Sequence, residues 1–193
     1  MSRLPPITRD NLPPDQQKGH DELTEIANNT FGNKFTWKRE DGAMLGPFPA
    51  FVAAPEAGIG MLQCLGKISK IPGLSPEAKE TAILTTGAHY KAAYELYAHT
   101  NVAVKTTKLS KEQVKEIAVG KKPAGLDEAC DVAYDVANYL SRTPGPLEQR
   151  LWDRATKVLG KEGTIALVHY VGMYAYTCMV LNAMDAPVPK DDE

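Results

Sequence analysis

The chain predicts an all-α fold, on three observations. Apolar residues recur at helical spacing in segment after segment, recognisable helix starts and stops punctuate them, and no stretch alternates apolar and polar residues persuasively enough to make a strand. At 193 residues, with 43% hydrophobic and 24% charged, the chain can bury a core as one soluble domain without disulfide staples. We expect an extended arm over residues 1–15, a single helical bundle over 16–187 and a flexible tail over 188–193. The arm is rich in Pro and polar residues, and in an oligomer it would lie on a neighbour. The tail closes on Lys190-Asp191-Asp192-Glu193, too polar to pack.

The first helix runs from Asp15 to Phe31, where Leu23, Ile26, Ala27 and Thr30 form a stripe and Gly32-Asn33 ends it. Residues 32–50 carry Trp37, several glycines and Gly46-Pro47-Phe48-Pro49, which reads as loop, either a pocket wall or a lid on the core. A helix over 57–69 places Ile59, Leu62, Leu65 and Ile68 on its buried face. Ser75 as cap and Pro76 at the first helical position then open the segment that ends at His99. Ser110 caps a helix over 111–119, stopped by Gly120, and another helix spans 126–142. Pro144-Gly145-Pro146 breaks the chain before helices over 147–159 and 161–184. The last helix mixes Gly163, Ala166, Gly172 and Ala175 with Tyr170, Tyr174 and Tyr176, so we expect it buried nearly all round, in the core or between subunits.

The chemistry concentrates between Glu80 and His99. Glu95 and His99 are four residues apart, hence one turn apart on one helix face and able to share a proton. Glu80 precedes His99 by nineteen residues, about 28 Å along an unbroken helix. It joins the pair only if the segment folds back near Gly87–Lys91 as a hairpin. Spacing alone also fits a solvated Glu/His surface pair, and a first-turn Glu80 that merely favours the helix start. Tyr90, Tyr94 and Tyr97 form a stripe around the pair, core by default, although Tyr94 could offer its hydroxyl to a substrate carbonyl.

Composition excludes several classes. A net charge of −2, with lysines scattered apart from Lys121-Lys122, gives no footprint for nucleic acid. No apolar run stands out as long enough to span a bilayer, and the first residues lack the apolar core of a secretory signal, so we expect a cytoplasmic protein without a membrane partner. Cys64, Cys130 and Cys178 form no Cys-x-x-Cys pair and fit reduced, mostly buried thiols. The four histidines show no metal-ligand spacing, and no phosphate-binding glycine loop or serine-nucleophile elbow is present, so neither metal nor cofactor is expected.

An acid, a second special residue fifteen positions on and a His nineteen positions on resembles the motif of the carboxymuconolactone decarboxylase family, which includes the AhpD-like alkylhydroperoxidases. Gly46-Pro47-Phe48-Pro49, Leu74-Ser75-Pro76-Glu77, Leu109-Ser110-Lys111-Glu112 and Leu181-Asn182-Ala183 extend the resemblance over roughly residues 40–187. The peroxidase branch carries Cys-x-x-Cys where this chain has Ala92 and Glu95, so it looks like the decarboxylase-type branch. Two departures, the apolar Ala92-Ala93 and Ala166 in place of an acid, point to altered substrate choice or lost activity. The resemblance implies an AhpD-like helical bundle that assembles as a homo-oligomer, a trimer or hexamer. It implies a cofactor-free lyase-type enzyme that decarboxylates, isomerises, dehydrates or cyclises a small carbonyl or lactone metabolite. His99 would carry the proton, Glu95 would partner it and Glu80 would orient it. Tyr94, Trp37, Phe48 and His169 are candidates for the substrate pocket. Two alternatives stand beside this: a non-catalytic binding or structural oligomer of the same fold, and a thiol peroxidase recruiting Cys64, Cys130 or Cys178.

Overall fold

Prolines and short polar caps set where the helices begin. In the computed structural model, which describes residues 2–189, eight α-helices follow a short 3-10 turn at Arg9–Asn11. They are α1 (Pro14–Phe31), α2 (Phe48–Ala53), α3 (Pro55–Ile68), α4 (Pro76–Tyr90), α5 (Ala93–Thr106), α6 (Lys111–Ala118), α7 (Glu128–Arg142) and α8 (Gln149–Met184). The Ser75 hydroxyl accepts from the Ala78 N–H to cap α4, and Asp127 caps α7 by accepting from the Cys130 N–H. Ser110 and Gln113 close a reciprocal capping box on α6. Among the described residues no strand forms; the only β-type pairing is an isolated bridge between Lys38 and Met44.

Helix α4 is the central element, packed on α7, α8, α5 and α6. Every residue from Glu80 to Gly87 is buried, so its apolar stripe is replaced by an all-round core helix. Thr85 and Thr86 tolerate this because they donate their hydroxyls to the carbonyls of Thr81 and Ala82. A second layer, α1 with α2 and α3, packs Leu23, Trp37, Phe48, Phe51 and Leu62 into a separate aromatic cluster. The site lies where the two layers meet.

Two expectations are corrected, over residues 32–50 and over the apolar length of α8. The loop expected over residues 32–50 gives way to α2 at Phe48, because Pro47 and Pro49 fall at the helix start, where no N–H is required. The two helical stretches expected over 147–159 and 161–184 are both present within α8 and are divided where expected, at Gly160, whose non-helical φ of 71° only glycine adopts freely. On this chain the C-terminal helix buries Leu167, Tyr170, Val171 and Tyr174 in the core and leaves Ile165, Val168, Tyr176 and Met179 exposed. By length and composition α8 also qualifies as a membrane span, contrary to the expectation that no run does, yet half of its most apolar stretch is buried inside the fold.

The N-terminal arm lies on its own chain. Ser2 and the Arg3 N–H reach the Met184 carbonyl, and the Arg3 guanidinium reaches that of Ala183. These donors fill acceptors that the last turn of a helix leaves open. The terminal Lys190–Glu193, read from sequence as disordered, lies outside the described residues.

Candidate active site

The chain reverses at Lys91, which adopts a left-handed conformation (φ 52°, ψ 38°) and ends α4. The Ala92 N–H returns to the Gly87 carbonyl, and α5 starts back along α4 from Ala93. This hairpin converts the nineteen-residue separation into contact: His99 Nδ1 lies 2.6 Å from Glu80 Oε2. One turn earlier on α5, Glu95 Oε1 lies 3.2 Å from His99 Nε2. That contact is at ion-pair distance but is not aligned as a hydrogen bond, and Glu95 Oε1 has no other protein donor. Lys79 stands 3.3 Å behind Glu80 Oε1. Glu80, Glu95 and His99 are 1%, 4% and 8% exposed, so the surface-pair reading does not apply.

Burial and charge compete here. Burial alone would raise the Glu80 carboxyl, but the His99 charge and hydrogen bond, with Lys79 behind, hold it below the usual carboxylate range. Burial alone would lower the His99 imidazole; Glu80 first and Glu95 second outweigh it and hold it above the ordinary value. Glu95 is pushed up to about 7, mainly by burial, with the His99 attraction offset by Glu80. An ionised Glu80 only accepts hydrogen bonds, so Nδ1 carries the proton and Nε2 is left as the working nitrogen, facing Glu95.

Nε2 and Glu95 border a small chamber with a volume of about 40 Å³. That is room for a few waters at most. Phe31, Phe35, Phe48 and Phe51 form one wall, Met61, Leu62 and Leu65 of α3 another, and Tyr94, Tyr174 and Thr177 complete it. Glu80 is not among the lining residues; it supports His99 from behind.

The pocket candidates separate on this geometry. Phe48 lines the chamber. Tyr94 does too, but only with its ring, since its hydroxyl donates to the Thr36 carbonyl at 2.8 Å. Burial also holds that phenol well above its ordinary range. Trp37 is not in the chamber: its Nε1 donates to the Gly32 carbonyl, and its ring borders a different cleft on the outer side of residues 32–38. His169 is exposed on α8, because the buried face of that helix passes through Leu167, Tyr170, Val171 and Tyr174 instead. Sequence reasoning missed Tyr174, whose ring meets His99 edge-on at 4.8 Å, along with Thr177 and the Phe31–Phe35 wall. The only available signal was the four-residue step Tyr170–Tyr174–Cys178, which is indistinguishable from plain core.

The thiols give little support to sulfur chemistry. Cys64 is exposed rather than buried as expected, since α3 turns that position outward. Burial raises the Cys130 thiol to about 12 and pushes Cys178, whose electrostatic neighbour is Glu95, higher still.

Helix order and packing together define an all-helical fold shared with solved structures. Two of these are of the debrominase Bmp8. Its apo form superposes with a TM-score of 0.73 at 13% identity, covering 97% of this chain and 92% of that one. A cysteine-to-alanine variant in complex with 2,3,4-tribromopyrrole gives 0.71 at 14% identity, over 98% and 93%. At such identity the likeness is one of fold. No family model and no curated protein sequence matches the chain.

Proposed function

We propose that this protein is a small-molecule-converting enzyme of the carboxymuconolactone decarboxylase-like type, working by acid–base catalysis without a cofactor on a carbonyl or lactone metabolite. The observation that carries the reading is His99, buried between two carboxylates, with His99 and Glu95 but not Glu80 lining an apolar chamber. Glu80 fixes the tautomer, in the manner of a carboxylate that orients a catalytic imidazole. Nε2 removes a proton from the carbon next to the carbonyl, and the electron pair moves into the carbonyl as an enolate. Returning the proton to a different carbon completes an isomerisation. In a decarboxylation the bond to the carboxylate carbon breaks instead, carbon dioxide leaves, its electron pair enters the conjugated carbonyl, and Nε2–H protonates the dienolate. Glu95, near its midpoint at neutral pH, serves as the second proton store.

The fold similarity to a debrominase supports small-molecule chemistry in general rather than this particular reaction. A thiol reaction is the second reading, because Cys178 sits next to the chamber, but its raised thiol opposes thiolate formation. The test is a screen of lactones and β-keto acids against wild type, His99→Gln and the triple Cys→Ala variant. We expect turnover to fall about 10²–10⁴-fold in His99→Gln and to persist in the triple variant. Turnover that survives His99→Gln overturns the reading; turnover lost only with the cysteines selects the thiol alternative.

The same reading includes assembly as a homo-oligomer, a trimer or hexamer. Ile165, Val168, Tyr176 and Met179 repeat at helical steps on the outer face of α8, an apolar strip that a second copy would cover. Sedimentation of Tyr176→Lys/Met179→Lys should then show smaller species than wild type.

A further inference from the structure

The chamber has a neighbour. On the outer side of residues 32–38 lies an open cleft of about 350 Å³, in the size range of ligand pockets, whose floor is the Tyr97–Asn101–Lys105 face of α5. The chamber takes the adjacent face of the same helix, Tyr94, Glu95, Ala98 and His99. Phe35 borders both spaces and packs edge-on against Tyr94, with ring centroids 6.5 Å apart. It is the partition between them.

The two compartments differ in chemistry. The cleft presents the ammonium groups of Lys38 and Lys105 and the amides of Asn28, Asn33 and Asn101, and no carboxylate lines it. Lys38 is held over the Trp37 ring at 5.2 Å, and Lys105 is steadied by the Lys34 carbonyl at 2.8 Å, so both charges are positioned. The chamber is walled by aromatic and aliphatic side chains and already holds the Glu95 carboxyl, so an anionic group placed there would be desolvated and would face a like charge. At about 40 Å³ it also admits no more than the tip of a metabolite until Phe35 turns aside.

We infer that cleft and chamber are two compartments of one site, selecting an amphipathic anion: its carboxylate rests with Lys38 and Lys105 while its apolar, carbonyl-bearing end passes Phe35 to reach His99. This rests on the acid–base reading in its isomerising form for what happens at His99, since a carboxylate held in the cleft is not the one lost there, but the binding claim stands apart from it. Phe35 is the gate and the two lysines are the specificity determinants. Polyanions are excluded, since only one end of the ligand has cations to meet.

The test is a pair of probes of equal length, octanoate and the uncharged octanamide, titrated into the full chain and followed by NMR at the Asn101 side-chain amide in the cleft and at the Thr177 amide in the chamber. Octanoate should bind about tenfold more tightly than octanamide, the combined effect of two exposed charge contacts, and shift both signals. Lys38→Gln/Lys105→Gln should erase the preference, as should high salt. Phe35→Ala should strengthen octanoate binding without changing the charge preference. Equal affinity for the two probes, a preference that survives removal of both lysines, or no saturable binding of either overturns the inference. His99→Gln should keep the preference, so a failure of the acid–base reading shows in turnover while the two-compartment site is judged on binding alone.

Discussion

Two clusters of ionised side chains, one on the α7–α8 face and one between α4 and α5, differ in what their surroundings allow. On the α7–α8 face, Asp131 and Asp135 meet Lys122 and Arg154: Lys122 lies 2.7 and 2.8 Å from the two carboxylates, and Arg154 is 2.8 Å from Asp135 and also paired to Asp131. Two acids face two bases, each side chain about a third exposed. Charges cancel and water screens the remainder, so the network ties two helices together and stores nothing. Between α4 and α5 two acids share one imidazole at exposures from 1 to 11%, with Lys79, a third exposed, at the back of Glu80. Among the three buried groups the charges do not cancel, and the shortage is met by moving protons. A cluster becomes a candidate for chemistry when burial prevents water from settling its charge and no counter-ion does so either.

The sharpest way to break this comparison is to remove the imidazole. His99→Leu leaves two buried carboxylates without their partner, and we expect a loss of about 3–5 kcal/mol near neutral pH. The loss should shrink on acidification as both carboxyls take up protons, which urea unfolding at acidic and neutral pH measures directly. Next in size, Glu80→Gln keeps the shape but removes the orienting charge. Turnover should fall about 10²-fold, and the pH profile should shift to lower pH, because the imidazole loses the partner that raises it.

The pH dependence of folding sharpens the comparison further. Glu95 has its carboxyl raised from 4.5 to about 7, so the folded state holds that proton more tightly than the unfolded state does. Its contribution is most favourable below 4.5 and is lost as pH rises to about 7. His99, raised above 6.5, adds stability below that value which is lost as pH passes its folded midpoint. Glu80, lowered, contributes in the opposite sense, losing stability as pH falls below 4.5. Stability should therefore peak in mildly acidic solution and decline toward neutrality, and Glu95→Gln should flatten the decline between 4.5 and 7. Denaturant midpoints across that range check it.

A smaller effect is expected at the strap over the chamber. A Cβ at Gly46 would come within 2.2 Å of the Tyr94 ring, and the φ there is +64°. Gly46→Ala should cost about 1–3 kcal/mol and loosen residues 32–47, visible as faster amide exchange at Thr36. Smallest of all, Asp135→Asn should change stability by no more than about 1 kcal/mol, in a salt-dependent way, and leave turnover untouched.

Much of this was legible because helix boundaries are written locally. Ser75-Pro76, Ser110 and the division between 159 and 161 each act within a few residues, and the structure uses all of them. The hairpin was legible because Glu80 could reach His99 in no other way. The chamber wall was not. Phe31, Met61, Leu65 and Tyr174 come from three helices distant in sequence, and each looks like ordinary core until the two layers are packed. His169 stands outside for the same reason, and Trp37 meets the cleft rather than the chamber: composition marks a residue as suited to a pocket, while only packing decides which side of residues 32–38, or which face of α8, it meets.

The most direct test of the central claim is an NMR titration of His99 in wild type, Glu80→Gln and Glu95→Gln. We predict a midpoint above that of a free imidazole in wild type, a large fall on removing the Glu80 charge and a smaller fall on removing that of Glu95. A His99 that titrates as a free imidazole in all three proteins would contradict the account and leave the fold as a binding or structural scaffold.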